Sequence, residues 1–148
     1  MIRTLVVDDD FRVADLHRVY TERVGGFEVV GVAHTGAEAL RLAGAFAPDL
    51  VLLDVYLPDM SGLDVLRSLR QGGRPVDVIA ITAAQDVATI RAAMQGGSVH
   101  YLIKPFTFTV FREKLQSYGE VHARLSRVDR ASQTDVDRLD GLLRTGLE

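Results

Sequence analysis

The chain has no cysteine, which excludes disulfides, thiolate zinc sites and thiol catalysis. No apolar run approaches the roughly 18 residues that a membrane-spanning helix needs, and no basic, apolar, small-residue leader precedes the first strand, so a cytoplasmic location without membrane contact is expected. Positive charge is in short supply: 17 Lys and Arg stand against 20 Asp and Glu, a net charge of -3, and this argues against nucleic-acid binding by the segment itself. The four histidines, His17, His34, His100 and His122, are scattered along the chain and read as surface or packing residues rather than metal ligands. Prolines number only four, Pro48, Pro58, Pro75 and Pro105, and each falls where a regular element stops or turns. The remainder, 148 residues with 47% hydrophobic and 25% charged side chains, suits one compact soluble domain.

What is present centres on Leu50-Val51-Leu52-Leu53-Asp54, followed by Val55-Tyr56-Leu57-Pro58-Asp59-Met60-Ser61-Gly62. A continuous aliphatic run is the pattern of a strand covered on both faces, where alternation is lost. A lone carboxylate is costly to bury, so Asp54 is expected at the strand tip, with a turn and loop set by Pro58 and Gly62 directly after it.

In chain order, Thr4–Val7 reads as a buried strand ending in Asp8-Asp9-Asp10, and Val13, Leu16, Tyr20 and Val24 then follow at helical spacing until Gly25-Gly26. Phe27 to Val32 is β-branched and reads as a second strand. Thr35-Gly36-Ala37-Glu38 matches a capping box that opens a helix with Leu40, Ala43 and Ala47 on one face. Beyond Asp54, Ser61 to Asp64 signals another helix start, with Leu63, Leu66 and Leu69 in register. Val76 to Ile81 gives a fourth strand, Thr82 to Gln85 a loop, Asp86 a helix cap, Val99 to Ile103 a fifth strand and Lys104-Pro105 a break. Phe108, Phe111, Leu115, Tyr118, His122 and Leu125 mark one stripe of a long last helix. Five strands alternating with helices predict an α/β fold: a flavodoxin-like doubly wound parallel sheet of five strands, order 2-1-3-4-5, with a C-terminal helical extension.

In such a sheet, chemistry collects beyond the carboxyl ends of the strands. Asp8 and Asp9, Asp54, Thr82 and Lys104 all fall there, after four different strands. Clustered carboxylates repel unless a cation joins them, and a hard divalent ion such as Mg²⁺ suits an all-oxygen site that keeps room for water and a phosphoryl oxygen. Phosphoryl transfer needs an in-line nucleophile and positive charge around the moving group. Asp54 is the expected nucleophile, forming an acyl phosphate. Lys104 and Mg²⁺ would neutralise the phosphoryl oxygens, and the Thr82 hydroxyl would donate to one of them. Each residue alone has a plainer reading: Asp8-Asp9-Asp10 as a helix N-terminus, Asp54 as a turn residue, Thr82 as a loop cap and Lys104 as a surface lysine. Their landing at successive strand ends favours the site.

The series Val6-Val7-Asp8-Asp9, Leu52-Leu53-Asp54-Val55-Tyr56-Leu57-Pro58, Ile81-Thr82-Ala83 and Tyr101-Leu102-Ile103-Lys104-Pro105 resembles the receiver domain of two-component response regulators, over residues 2 to about 125. Asp10-Phe11-Arg12-Val13-Ala14, Tyr56 and Lys104-Pro105-Phe106-Thr107-Phe108 resemble the citrate- and C4-dicarboxylate-responsive branch, of CitB/DcuR type. The resemblance implies a phosphoacceptor switch that catalyses only its own phosphorylation and dephosphorylation, with Asp54 receiving phosphate from a sensor histidine kinase. It implies Mg²⁺ held by Asp9 and Asp54 directly, by Asp8 through water and by the backbone carbonyl of Tyr56. It also implies a switch pair, Thr82 and Tyr101, a cis Lys104-Pro105 bond, and Tyr56 and Ala84 flanking the path of a hydrolytic water. The face of the fourth helix, fifth strand and fifth helix would carry the change outward.

Residues 1–125 are thus expected to form the receiver and 126–148 a linker and helical extension. Asp129 to Asp135 is polar and reads as the linker, with Ser132 or Thr134 capping a short helix that carries Val136, Leu139 and Leu143. A homodimer through the C-terminal helices is expected, and DNA contact only through a C-terminal output domain that the chain lacks. The stop suggests a truncated chain with Leu147-Glu148 as a cloning remnant. Three rival readings fit the residues less well. A haloacid-dehalogenase-like phosphotransferase would carry an acid where Tyr56 stands, an FMN carrier would be repelled by Asp8-Asp9-Asp10, and a phosphate-independent pseudo-receiver would have no need of the complete residue set.

Overall fold

Strands and helices alternate along the whole chain: β1 (Ile2–Val7), α1 (Phe11–Val24), β2 (Phe27–Ala33), α2 (Gly36–Phe46), β3 (Leu50–Asp54), α3 (Gly62–Gln71), β4 (Asp77–Ala83), α4 (Val87–Gln95), β5 (His100–Lys104) and α5 (Phe108–Gly146). The computed structural model describes the backbone of residues 1–83 and 86–146 and the side chains of 1–83 and 86–128. Two compact units result, Met1–Leu115 and Gln116–Glu148. In the first, every ladder is parallel and the strand order is β2-β1-β3-β4-β5, as the alternation predicts.

β3 lies at the centre because it can be covered everywhere: Leu50 to Asp54 are all buried, at 5% exposure or less. Val51 and Leu53 face a layer that includes Ala39, Val65, Leu66 and Leu69. The turn after β3 is tight enough to demand its glycine, since a Cβ on Gly62 would lie 2.6 Å from the Asp54 carbonyl oxygen. The expected caps are in place: Thr35 accepts from the Glu38 amide, Ser61 from Leu63 and Asp86 from Thr89.

Three local readings change. The buried stripe of α1 is Ala14, His17 and Thr21, while Leu16 is 46% exposed. Apolar periodicity pointed to the neighbouring rows because the true inner face is small or polar: Thr21 satisfies its hydroxyl on the His17 carbonyl at 2.7 Å, and the His17 ring stacks on Phe106 and Phe111. Thr82 and Lys104 belong to strands rather than to a loop and a break, paired as Thr82↔Ile103 and Ala83↔Lys104. The segment 129–135 is helical, as part of α5, instead of a linker ahead of a separate helix; it contains neither proline nor glycine, and polarity alone does not end a helix. The side chains expected there, Ser132, Thr134, Val136, Leu139 and Leu143, and the pair Leu147-Glu148, lie outside the described residues. Among those described, no helix is long and apolar enough to cross a membrane.

Candidate functional site

Two strand ends bring the acids together. Asp8 follows β1, its amide bonded to the Ala33 carbonyl at 3.0 Å, and Asp54 closes β3. One carboxylate oxygen from each of Asp8, Asp9 and Asp54 can be chosen so that all lie within 4.8 Å of one another. Asp10, third in the acidic run, takes the plainer role and caps α1 through the Arg12 and Val13 amides. An all-carboxylate set with two buried members and one exposed is a donor chemistry that fits a hard divalent cation.

Lys104 reaches back from β5 into this group. Its ammonium lies 2.7 Å from Asp8 Oδ2 and 3.3 Å from Asp54 Oδ2. Each carboxylate also holds one backbone amide: Asp10 donates to Asp8 Oδ1 at 2.9 Å, and Tyr56 donates to Asp54 Oδ1 at 3.0 Å. For Asp54 this is not enough. Burial pushes its carboxyl up to about 7, Lys104 pulls it down, and the Asp8 and Asp9 charges push it further up. Burial acts on Lys104 in the opposite sense, but its bond to Asp8 and the charges of Asp54 and Asp8 outweigh it and hold the ammonium above its ordinary range. The cluster is therefore short of positive charge, the condition under which a cation or an additional hydrogen-bond donor is attracted.

Thr82 sits one residue beyond Ile81, the ladder partner of Asp54. It is 1% exposed, and among the described residues its hydroxyl oxygen has no hydrogen-bond partner, an uncommon state for a buried polar atom. Tyr101 is not drawn into the cluster. It is 37% exposed on β5, with the Lys114 ammonium 5.3 Å from its ring centre. The Lys104-Pro105 bond is cis, as expected. Tyr56 is 55% exposed, and its hydroxyl donates to Asp86. Ala84 lies outside the described residues.

His17 and His34 serve packing roles. His17 is buried, and burial lowers its imidazole to about 4, with Asp8 opposing and Lys104 assisting. His34 stacks on Phe11 at 3.8 Å between ring centres and contacts the Asp8 carbonyl through Nδ1. Two contacts that shape the site carried no sequence signal. Asp59 accepts the Gly36 and Ala37 amides at 2.7 and 2.9 Å, tying the loop after β3 to the N-terminus of α2; these bonds hold its carboxyl below the ordinary range. Asp86 joins Tyr56 from thirty positions away in sequence. Short-range patterns reveal a cap or a turn, but not a partner on another loop.

Comparison with known proteins agrees with this geometry. The model of the response regulator receiver domain matches residues 4–116. The transcriptional regulatory protein DcuR of Shigella flexneri is 38% identical over 141 residues, 94% of this chain and 59% of its own length. MalR of Bacillus subtilis, also named a transcriptional regulatory protein, is 38% identical over 137 residues, 93% of this chain and 58% of its own. Other matched relatives are named CitT, or DctR, a C4-dicarboxylate response regulator. The chain spans about three-fifths of the length of the curated relatives it matches. Among solved structures, the signal receiver domain of NarL from Mycobacterium tuberculosis superposes with a TM-score of 0.74 at 31% identity, covering 80% of this chain and 96% of that one. A parallel sheet of order 2-1-3-4-5, acids gathered at its switch point and a family match spanning most of the chain lead to one assignment: the chain belongs to the response regulator receiver domain family of two-component systems.

Proposed function

We propose that this receiver takes a phosphoryl group on Asp54 from a phosphohistidine of a sensor histidine kinase, and that the resulting acyl phosphate switches a transcriptional output. The observation that carries the reading is the meeting of Asp54, Asp8 and Lys104 from three strand ends, with Asp54 almost wholly buried yet hydrogen-bonded to a lysine. In the transfer, an Asp54 carboxylate oxygen attacks phosphorus as the bond to the donor nitrogen breaks. Lys104 moves its attention from carboxylates to phosphoryl oxygens, and the unpartnered Thr82 hydroxyl donates to another of them. Asp8, Asp9, Asp54 and the Tyr56 carbonyl would hold Mg²⁺, which when bound supplies further neutralisation of phosphoryl charge. Thr82 and Tyr101 form the switch pair: the hydroxyl shifts toward the phosphoryl group and the exposed Tyr101 ring turns inward behind it. The protein acts as a switch rather than an enzyme on other substrates, and works in the cytoplasm.

Residues 1–125 form the receiver and 126–148 extend toward an output domain, the only part that would touch DNA. Val121, Leu125 and Val128 stand exposed in the second unit and suit a homodimer through the C-terminal helices. Light scattering with and without a phosphoryl mimic tests this, and a monomer in both states would count against it. The central reading is tested by intact-mass measurement after incubation with acetyl phosphate and Mg²⁺. One phosphoryl addition is expected in the wild type and none in Asp54→Asn; no addition in the wild type, or an undiminished one in the variant, would sink the proposal.

A further inference from the structure

The end of the sheet away from Asp54 carries an open cavity of about 430 Å³, set between the last turns of α2 and α3 and the residues that lead into β3 and β4. That volume lies in the range of sites that hold a small molecule. The space exists because neither helix fills it: Ala43, Gly44 and Ser68 line it with little or no side chain, and a Cβ on Gly44 would meet nothing within 4 Å. Leu40 and Leu69 from the two helices and Val76 ahead of β4 make its walls apolar. Two opposite charges, Asp49 and Arg74, line the same cavity. They are not spent on each other, since among the described residues no ion pair joins them. Half-buried Asp49 gives its Oδ2 to the Arg3 amide, while Arg74 is exposed. The C-terminal ends of α2 and α3, at Ala47 and Gly72, also meet the cavity, and the carbonyls of a helix end carry partial negative charge. The Arg3 guanidinium answers the end of α2 through the Ala47 carbonyl, which leaves the end of α3 and the Asp49 carboxylate as the negative side and Arg74 as the positive one.

We infer that this cavity binds a free α-amino acid with an apolar or aromatic side chain. Its ammonium would meet the Asp49 carboxylate and the end of α3, its carboxylate the Arg74 guanidinium, and its side chain Leu40, Ala43, Leu69 and Val76. An apolar chamber lined by an acid and a base that are not paired with each other matches a ligand carrying both charges on an apolar body. A ligand with one charge leaves one of the two groups with nothing to meet, and a neutral one leaves both. The guanidinium fork suits a carboxylate in bidentate fashion, and the three donors of an ammonium suit a carboxylate together with the carbonyls of a helix end. The cavity shares no residue with the Asp8, Asp9 and Asp54 cluster, so the inference stands independently of phosphorylation.

The probe is L-phenylalanine, titrated into the full chain while backbone amide shifts are followed by NMR. Saturable binding is expected with a Kd on the order of 0.1–1 mM for a ligand of this size, and the moving amides should be those of Ala43, Ser68, Leu69 and Val76. Two analogues separate the charges: phenylpropionate lacks the ammonium and phenethylamine lacks the carboxylate. Each should bind about ten-fold more weakly than phenylalanine. Two variants then cross with the analogues. Asp49→Asn, which keeps an acceptor for the Arg3 amide, should weaken phenylalanine and phenethylamine by about ten-fold and leave phenylpropionate unchanged. Arg74→Gln, at an exposed position where loss of the fold is not expected, should weaken phenylalanine and phenylpropionate and leave phenethylamine unchanged; it carries the test alone if Asp49→Asn unfolds. A general loss of packing would weaken all three compounds together and could not produce this crossed pattern. Equal binding of the three compounds, variants that weaken them alike, shifts that fall outside the cavity, or no saturation up to the solubility limit of phenylalanine would each overturn the inference.

Discussion

β3 carries an acid at each end, and the two acids have opposite surroundings. Asp49, just ahead of the strand, accepts the Arg3 amide at 2.9 Å and lends its own amide to the Arg3 carbonyl, its own carbonyl to the Asp77 amide. The Arg3 guanidinium then closes the group on the Ala47 carbonyl at 3.0 Å. Every one of these contacts stitches neighbouring strands and loops together. Asp54, at the other end of the same aliphatic run, holds one amide and part of one lysine, and burial has raised its proton affinity. Five residues apart in sequence, one acid completes the fold and the other strains against it. The amino-terminal end of the sheet is satisfied, whereas the carboxyl-terminal end is kept short of donors that a phosphoryl group and a cation would bring or replace.

This contrast can be broken by substitution. The largest effect is expected from Lys104→Met, which removes the nearest positive charge from the Asp54 end: phosphorylation by acetyl phosphate should slow by about 10²-fold. A rate close to wild type would deny Lys104 any part in the transfer. Next is stability. The folded Asp54 carboxyl binds its proton near pH 7 against an ordinary value of 3.8, so the folded state holds the proton more tightly than the unfolded chain does. The stabilisation by protonated Asp54 is complete below the ordinary value and is lost as pH rises toward the folded one. In metal-free buffer above neutral pH, Asp54→Asn should therefore be more stable than wild type by about 2 kcal/mol, and the difference should vanish in acid. Denaturant unfolding across that range reads it directly, and a variant less stable at neutral pH would reverse the assignment of Asp54 as the strained end.

Smaller effects sharpen the comparison. Asp49→Ala should cost about 1–2 kcal/mol of unfolding free energy, because it strips an acceptor from a partly buried amide, yet leave the rate of phosphorylation unchanged. A slowed rate would mean that the two ends are coupled through β3. Tyr56→Asn, which removes the ring beside Asp54, should shorten the phosphoryl lifetime several-fold with little change in stability, and phosphate-release measurements would register it.

The strands, the caps and the acids of the strained end could be read in advance, whereas the contacts of the satisfied end could not. An unbroken aliphatic run, caps at Thr35, Ser61 and Asp86 and an acid at a strand tip are local patterns, each fixed by the physics of a few adjacent residues. Asp54, Asp8, Asp9 and Lys104 converge because a parallel sheet leaves its strand ends no other place to go. What stayed hidden was set by partners far along the chain. The inner face of α1 is Ala14, His17 and Thr21, and it became a core surface through aromatic rings supplied from the start of α5 and the loop before it. Thr82 and Lys104 looked like loop residues because they are polar, yet ladder pairing extends both strands through them. Continuity of α5 through 129–135 was masked by polar composition, which distinguishes an exposed helix from a loop poorly. Asp59 and Asp86 act across loops, where no spacing rule applies.

Asp59 has a mechanical meaning beyond its hydrogen bonds. By gripping two amides of α2, with Met60 packed so closely on Gly36 that a Cβ there would lie 2.4 Å from the methionine Cγ, it clamps the far side of the loop that begins at Asp54. On its β4 side the same loop is held by the Val55 amide on the Ile81 carbonyl at 3.1 Å, by Val55 packed with Ala80 and Ala93, and at its exposed edge by the Tyr56 phenol on Asp86. The loop is thus gripped on both flanks, toward α2 and toward β4 and α4. A displacement that began at Asp54 would therefore be handed to neighbouring elements instead of being absorbed in slack backbone.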